Sequence, residues 1–166
     1  NLDKKFYKIK DFKEYNSFLK NNKIILDHEE RMRIIVKKFN SICKAKNFDE
    51  KFNKNLLEEV VNIVENPNIL LIDFDKEYLK IPDEIIISTL TNHQRYFPLF
   101  NKKGILTNFF LVVANKSDYK NLIKQGNKRV VEARLSDAKF FWDKDKSTNL
   151  IKQVGKLKNI TFYDKL

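Results

Sequence analysis

Glycine is scarce: Gly104, Gly126 and Gly155 are the only three in 166 residues, and none lies near another. A phosphate-cradling loop and a dinucleotide fingerprint each need several glycines in one short turn, so both are excluded. A G-x-S-x-G nucleophile elbow is absent as well. Soft metal ligands are equally few. The single cysteine, Cys43, excludes an internal disulfide, and with only His28 and His93 beside it no structural zinc site or histidine–aspartate metal centre is expected. No apolar run approaches the roughly 18 to 20 residues that span a bilayer, and the opening "NLDKKFYKIKDF" lacks the apolar core of a signal peptide. The expectation is a soluble, cytoplasmic chain with no membrane partner.

What is present is apolar mass and positive charge. Hydrophobic residues make up 42% of the chain, enough for a real core in one domain. The net charge of +11 is uneven: residues 1–100 hold 18 basic and 16 acidic side chains, whereas 101–166 hold 15 and 6, for +9. Such a field favours a polyanionic partner, because each phosphate neutralised by Lys or Arg releases a counterion. A lysine- and asparagine-rich composition alone yields the same balance without any such partner.

Periodicity divides the chain into a helix-rich part (11–66), a sheet and hairpin (67–115) and a basic helical end (119–157), together one α+β domain with a mixed sheet. "KKFYKIKDF" alternates as a short strand does, and Phe12, Tyr15, Phe18 and Leu19 follow at helical spacing. Asp27 with Glu30 reads as a capping box opening a helix from about His28 to Lys46, with Met32, Ile35, Val36, Phe39, Ile42 and Cys43 on one stripe. "LLEEVVNIV" continues with a second helical face, ended at Asn66-Pro67. "NILLIDFD" reads as a strand, and "IPDEIIISTLTN" suits either a helix or a buried strand. "RYFPLF" and "GILTNFFLVVAN" flank "NKKG" as a hairpin, Pro98 marking the first as an edge or bulged strand.

After Gly126, "NKRVVEARLSDAKFFW" forms the most informative helix. With Val131 at zero on a wheel, Leu135, Ala138 and Trp142 lie within about 40°, and Val130 and Phe141 widen the arc. Arg134 falls at about 300°, inside that arc. It is therefore expected to need a carboxylate such as Asp137, a carbonyl or a phosphate. Phe140 falls on the opposite side beside Arg129, placed to stack on a base or meet another domain.

Several segments in order resemble the beta subunit of the bacterial-type heterotetrameric glycyl-tRNA synthetase: "LDHEER" (Leu26–Arg31), "LLEEVVNIVENP" (Leu56–Pro67), "IPDE" (Ile81–Glu84), "HQRYFPLF" (His93–Phe100) and "GNKRVVEARLSDAKFFWDKD" (Gly126–Asp145). The resemblance spans most of residues 24–150. It implies an enzyme of two alpha and two beta chains that joins glycine to its tRNA using ATP, the alpha chain holding the adenylate-forming site and the beta chain handling tRNA. The segment resembles the central part of the beta chain, cut at both ends from a longer one, and its fold would resemble the editing-type domain of the phenylalanyl-tRNA synthetase beta chain. Glu132 and Ala133 depart from the family pattern, where a basic residue or proline is common, and Glu132 would repel phosphate.

Three readings follow. The first is a non-catalytic, tRNA-facing module, with His93, Arg95, Lys128, Arg129 and Phe140 as contacts and Gln94, Arg134 and Asp137 as structural polar groups. It binds no cofactor itself, ATP being used by the alpha chain. The second is an editing hydrolase with His93 as general base and Ser88, Thr91 or Asp118 as helpers. The third is a scaffold docking the alpha chain and neighbouring domains.

Overall fold

The computed structural model describes residues 6–148 together with Ile151, Val154, Gly155 and Leu157. Helix α1 (Phe12–Asn21) is followed by α2 (His28–Lys46), α3 (Lys54–Ile63) and strand β1 (Asn68–Asp73). A 3-10 turn (Lys76–Lys80), the short α4 (Asp83–Ser88) and a π-turn (Thr89–His93) lead into β2 (Phe97–Phe100). Strand β3 (Leu106–Ala114) and the long α5 (Leu122–Ser147) complete the order.

The three strands are antiparallel throughout, in the order β1–β3–β2. The α+β class is thus as expected, with a purely antiparallel sheet in place of a mixed one. Both faces of this sheet are covered, which explains why its strands read as nearly unbroken apolar runs. Successive residues point to opposite faces. Phe97, Leu99 and Leu111, with Ile69, Leu71, Phe109 and Val113, pack on Ile35, Phe39, Cys43, Leu57 and Val61 of α2 and α3. Ile72, Phe110 and Val112 pack the other way, with Ile86, Leu90, Val131 and Leu135 of α4, the π-turn and α5.

Local signals explain the element ends. Asp27 caps α2 by accepting from Glu29 N at 2.9 Å, while Glu30 pairs with Lys20 at 3.1 Å, so the reciprocal capping box does not form. Asn53 caps α3 through Leu56 N at 3.2 Å, and Asp118 caps α5 through Ile123 N at 2.7 Å. In the hairpin, Gly104 adopts φ +77°, which its missing Cβ permits. Asn101 closes the turn by accepting from Lys103 N and Ile105 N at 2.9 and 3.0 Å. Pro98 sits on the edge strand β2 beside a register shift, as a residue without an N–H must.

Three further expectations are corrected. Residues 6–10 carry no strand, and Lys4 and Lys5 of the expected strand lie outside the described residues. Helix α5 begins at Leu122 and runs through Gly126, whose missing side chain would meet nothing within 4 Å. Arg134 is exposed, and among the described residues neither it nor Asp137 makes an ion pair. The buried stripe of α5 is narrow: Val131 and Leu135 are fully covered, flanked by half-buried Lys128, Glu132 and Lys139 on the side away from Arg134. Val130 and Phe141, which widened the apolar arc toward Arg134, are themselves exposed.

Leu135→Ala should therefore destabilise the domain by about 2 to 5 kcal/mol, and Arg134→Ala by no more than about 0.5. Urea denaturation of the two variants checks the contrast. A second expectation concerns alkali. Burial, with a smaller contribution from Glu50, pushes the Cys43 thiol from its ordinary 9.0 up to about 11. The unfolded thiol loses its proton first, so the folded state binds more protons between those values and stability falls as pH rises from about 9 to about 11. The loss should be on the order of 2 to 3 kcal/mol. Cys43→Ala should lack this component when unfolding free energies are compared at pH 8 and 11.

Candidate nucleic-acid interface

The segment "TLTNHQRYFP" forms a compact polar turn before β2. Its π-turn widens the helical ladder, a distortion frequent at functional sites. The side chains of this turn spend their hydrogen bonds locally. Thr89 and Thr91 donate to the carbonyls of Ile85 and Ile87, each at 2.8 Å, and the Asn92 amide donates to the Ser88 hydroxyl at 3.1 Å. Arg95 takes the left-handed conformation, φ +58°, which is uncommon for a side chain of its size. It is held there by Glu59 of α3 and by the carbonyls of Thr91 and Asn92.

The alternation of the chain past Arg95 then divides the turn between the two layers. Tyr96 enters the α5 layer and Phe97 the α2/α3 layer. The Tyr96 ring stacks on Phe110 at 5.3 Å between centroids, and its hydroxyl donates to the Asn127 side chain of α5. Asn127 in turn donates to the Ile123 carbonyl at 2.7 Å. Burial raises the Tyr96 pKa, so the phenol stays protonated and able to donate. The "HQRYFP" and "GNKRVV" segments are thus joined by one half-buried hydrogen bond. Asn127 was missed from sequence, although an asparagine inside a long helix, where it is a poor helix former, is a signal that its amide has a partner.

The sequence-predicted contacts are not gathered into one cationic cluster. Arg95 is tied to Glu59 on the α3 side. Lys128, on the α5 side, donates to Asp73 at 3.0 Å and lies 3.8 Å from Glu132, and the hydrogen bond to Asp73 raises its pKa. Glu132 also accepts from Asp75 N at 3.2 Å, so its carboxylate serves the junction between the end of β1 and α5. His93 is exposed, and Gln94 is half-buried with no side-chain hydrogen bond among the described residues. The hydrolytic helpers are engaged elsewhere: Thr91 and Ser88 within the turn, Asp118 at the start of α5. Among the described residues, no three His, Cys, Asp or Glu side chains stand where they could hold a metal ion.

Open cations are found along the outer face of α5. Arg129 and Arg134 are exposed there, and Lys144 stands 5.9 Å from the Phe140 ring centre. Phe140 and Phe141 are 62% and 60% exposed, edge to face at 5.5 Å. An exposed aromatic pair among cations is the equipment of a surface that meets phosphate and base, or a protein partner, and not of an enclosed reaction centre.

Comparison with known sequences places the chain in a family of aminoacyl-tRNA synthetase subunits. Residues 1–166 match the family described as glycyl-tRNA synthetase beta subunit, and the chain belongs to that family. It is 42% identical over 159 residues to the glycine–tRNA ligase beta subunit of Dictyoglomus thermophilum, covering 95% of this chain and 23% of that protein. It is 40% identical over 154 residues to that of Lactobacillus gasseri, covering 92% and 22%. The Listeria monocytogenes protein is 40% identical over 160 residues, covering 95% and 23%. The chain spans less than a quarter of the length of the curated relatives it matches.

Tyr96→Phe and Asn127→Ala should each destabilise the domain, with a coupling of about 0.5 to 1.5 kcal/mol in the double variant. Additive effects in thermal or urea unfolding would show that the two segments are not energetically joined by this bond.

Proposed function

We propose that this chain is a non-catalytic, tRNA-facing and assembly module of a glycine–tRNA ligase beta subunit, supporting ATP-dependent attachment of glycine to tRNA by an alpha chain. The observation that carries the reading is the exposed face of α5, where Arg129 and Arg134 lie open to solvent and Lys144 stands beside the exposed Phe140, in a member of this family. Lysine and arginine there supply phosphate affinity without reading sequence, and an exposed ring supplies stacking. The whole enzyme would act in the cytoplasm as two alpha and two beta chains, and ATP would bind the alpha chain and not this segment. A domain resembling the editing-type domain of phenylalanyl-tRNA synthetase remains part of the same proposal.

A second reading, a scaffold docking the alpha chain and neighbouring domains, is favoured by one specific feature. Arg95 and Lys128 are already neutralised by Glu59, Asp73 and Glu132, so two expected phosphate contacts serve internal junctions.

Titration of labelled glycine-specific tRNA at several salt concentrations separates the two. Loss of Arg129 and Arg134 together should weaken binding similarly for glycine-specific and unrelated tRNA. It should flatten the log–log salt dependence by about one to two units of slope, from roughly 0.7 to 0.9 per phosphate contact. Lys128→Ala should change the slope far less, because its ammonium is committed to Asp73. An unchanged slope in the double arginine variant would leave the scaffold reading in first place.

A further inference from the structure

Among the described residues strand β1 keeps a free edge, because β3 lies on only one side of it and no other strand pairs with it. Phe74 N donates to the Asn108 carbonyl at 2.9 Å, continuing the β1–β3 register. Antiparallel ladders alternate, so Ile72, Leu70 and Asn68 form the hydrogen-bonded pairs with β3. Ile69 and Leu71 consequently turn their N–H and C=O groups outward. Sheets usually protect such an edge with proline, a bulge or an inward charge. The run Asn68–Ile72 has none of these, and its pairing with β3 is unbroken.

The edge forms the floor of a groove of about 720 Å³ between α2 and the start of α5. Ile34 and Pro67 give it apolar walls, while Lys37 and Lys38 stand on one rim and Lys124 on the other. None of these three lysines makes an ion pair among the described residues. Among the described residues the one carboxylate lining the groove, Asp118, accepts from Ile123 N and Lys124 N and is occupied in capping α5.

We propose that the β1 edge is a strand-addition site for an extended, acidic polypeptide segment of a partner chain. Its backbone would pair with Ile69 and Leu71, its apolar side chains would meet Ile34 and Pro67, and its carboxylates would meet Lys37, Lys38 and Lys124. The chemistry selects this occupant over two others. A run of phosphates would satisfy the lysines, but it offers only acceptors and leaves the outward carbonyls without donors. A second copy of this chain could pair edge to edge only by setting these lysines against their own counterparts, and like charges juxtaposed are costly. The site is separate from the outer face of α5 and does not depend on the tRNA reading.

The test uses the 166-residue chain, isotopically labelled, and a blocked peptide of alternating glutamate and valine as probe. A lysine–valine peptide and a uridine oligonucleotide are the controls. Binding of the acidic peptide should shift the Ile69 and Leu71 amide resonances and slow their hydrogen exchange. The exposed double substitution Lys37→Glu/Lys38→Glu should weaken that binding by at least about tenfold. Lys124→Glu, on the opposite rim, provides an independent variant should the first fail to fold. The proposal is overturned if the acidic peptide leaves Ile69 and Leu71 unprotected, or if charge reversal leaves its affinity unchanged. It is equally overturned if the oligonucleotide, and not the peptide, protects those amides, or if the chain alone dimerises through this edge.

Discussion

The constraint on which the rest depends is that β3 is central and covered on both faces. Phe109, Leu111 and Val113 must suit the α2/α3 layer, while Phe110 and Val112 must suit α4 and α5. A three-stranded sheet with one wet face would tolerate alternation; this one does not. Phe110, fully buried, meets Phe74 and Tyr96, so the end of β1, the polar turn and α5 all take their positions from one ring. Asn108, buried in the same strand, extends that control beyond the sheet by donating to the Phe74 carbonyl at 2.7 Å.

From this layering follows the separation of the charges. Because Tyr96 enters one layer and Phe97 the other, the preceding arginine is delivered to Glu59 on α3, away from α5. Lys128 lies half-buried beside the inner stripe of α5, where Asp73 and Glu132 are within reach. Arg129 and Arg134, on other sides of the helix, make no ion pair among the described residues and stay in water. The basic excess is therefore divided between cations that hold layers together and cations left available. Net charge alone cannot distinguish them, since both kinds count equally toward it.

Much of the fold was legible because its signals are local. Asp27 and the stripe ending at Cys43 gave α2 its observed bounds, and "NKKG" gave the hairpin. Pro98 marked an edge strand because a missing donor has that meaning whatever the tertiary context. The failures are tertiary. A helical wheel shows which residues are apolar but not which side of the stripe meets the sheet, so Val130 and Phe141 pulled the expected arc toward Arg134. The Ile85–Ile87 run was ambiguous because a buried helix turn and a buried strand look alike over so few residues. The Tyr96–Asn127 bond joins positions 31 apart and leaves only the weak trace of an asparagine within a helix.

The same distinction bears on what the family motifs measure. Within "HQRYFPLF", Tyr96, Phe97 and Leu99 are buried, and within "GNKRVVEARLSDAKFFWDKD" so are Val131 and Leu135. Asn127 and Lys128 are committed to Tyr96 and Asp73. The buried and paired letters of these motifs thus describe how α5 and the polar turn pack on the sheet. They identify the scaffold, while the residues able to touch a partner are those that packing leaves over: His93, Arg129, Arg134 and Phe140 outside the core, and the unpaired rim of β1. A resemblance carried by core and junction residues therefore argues strongly for fold and only indirectly for contact, because a surface side chain can change without disturbing the positions that preserve the match.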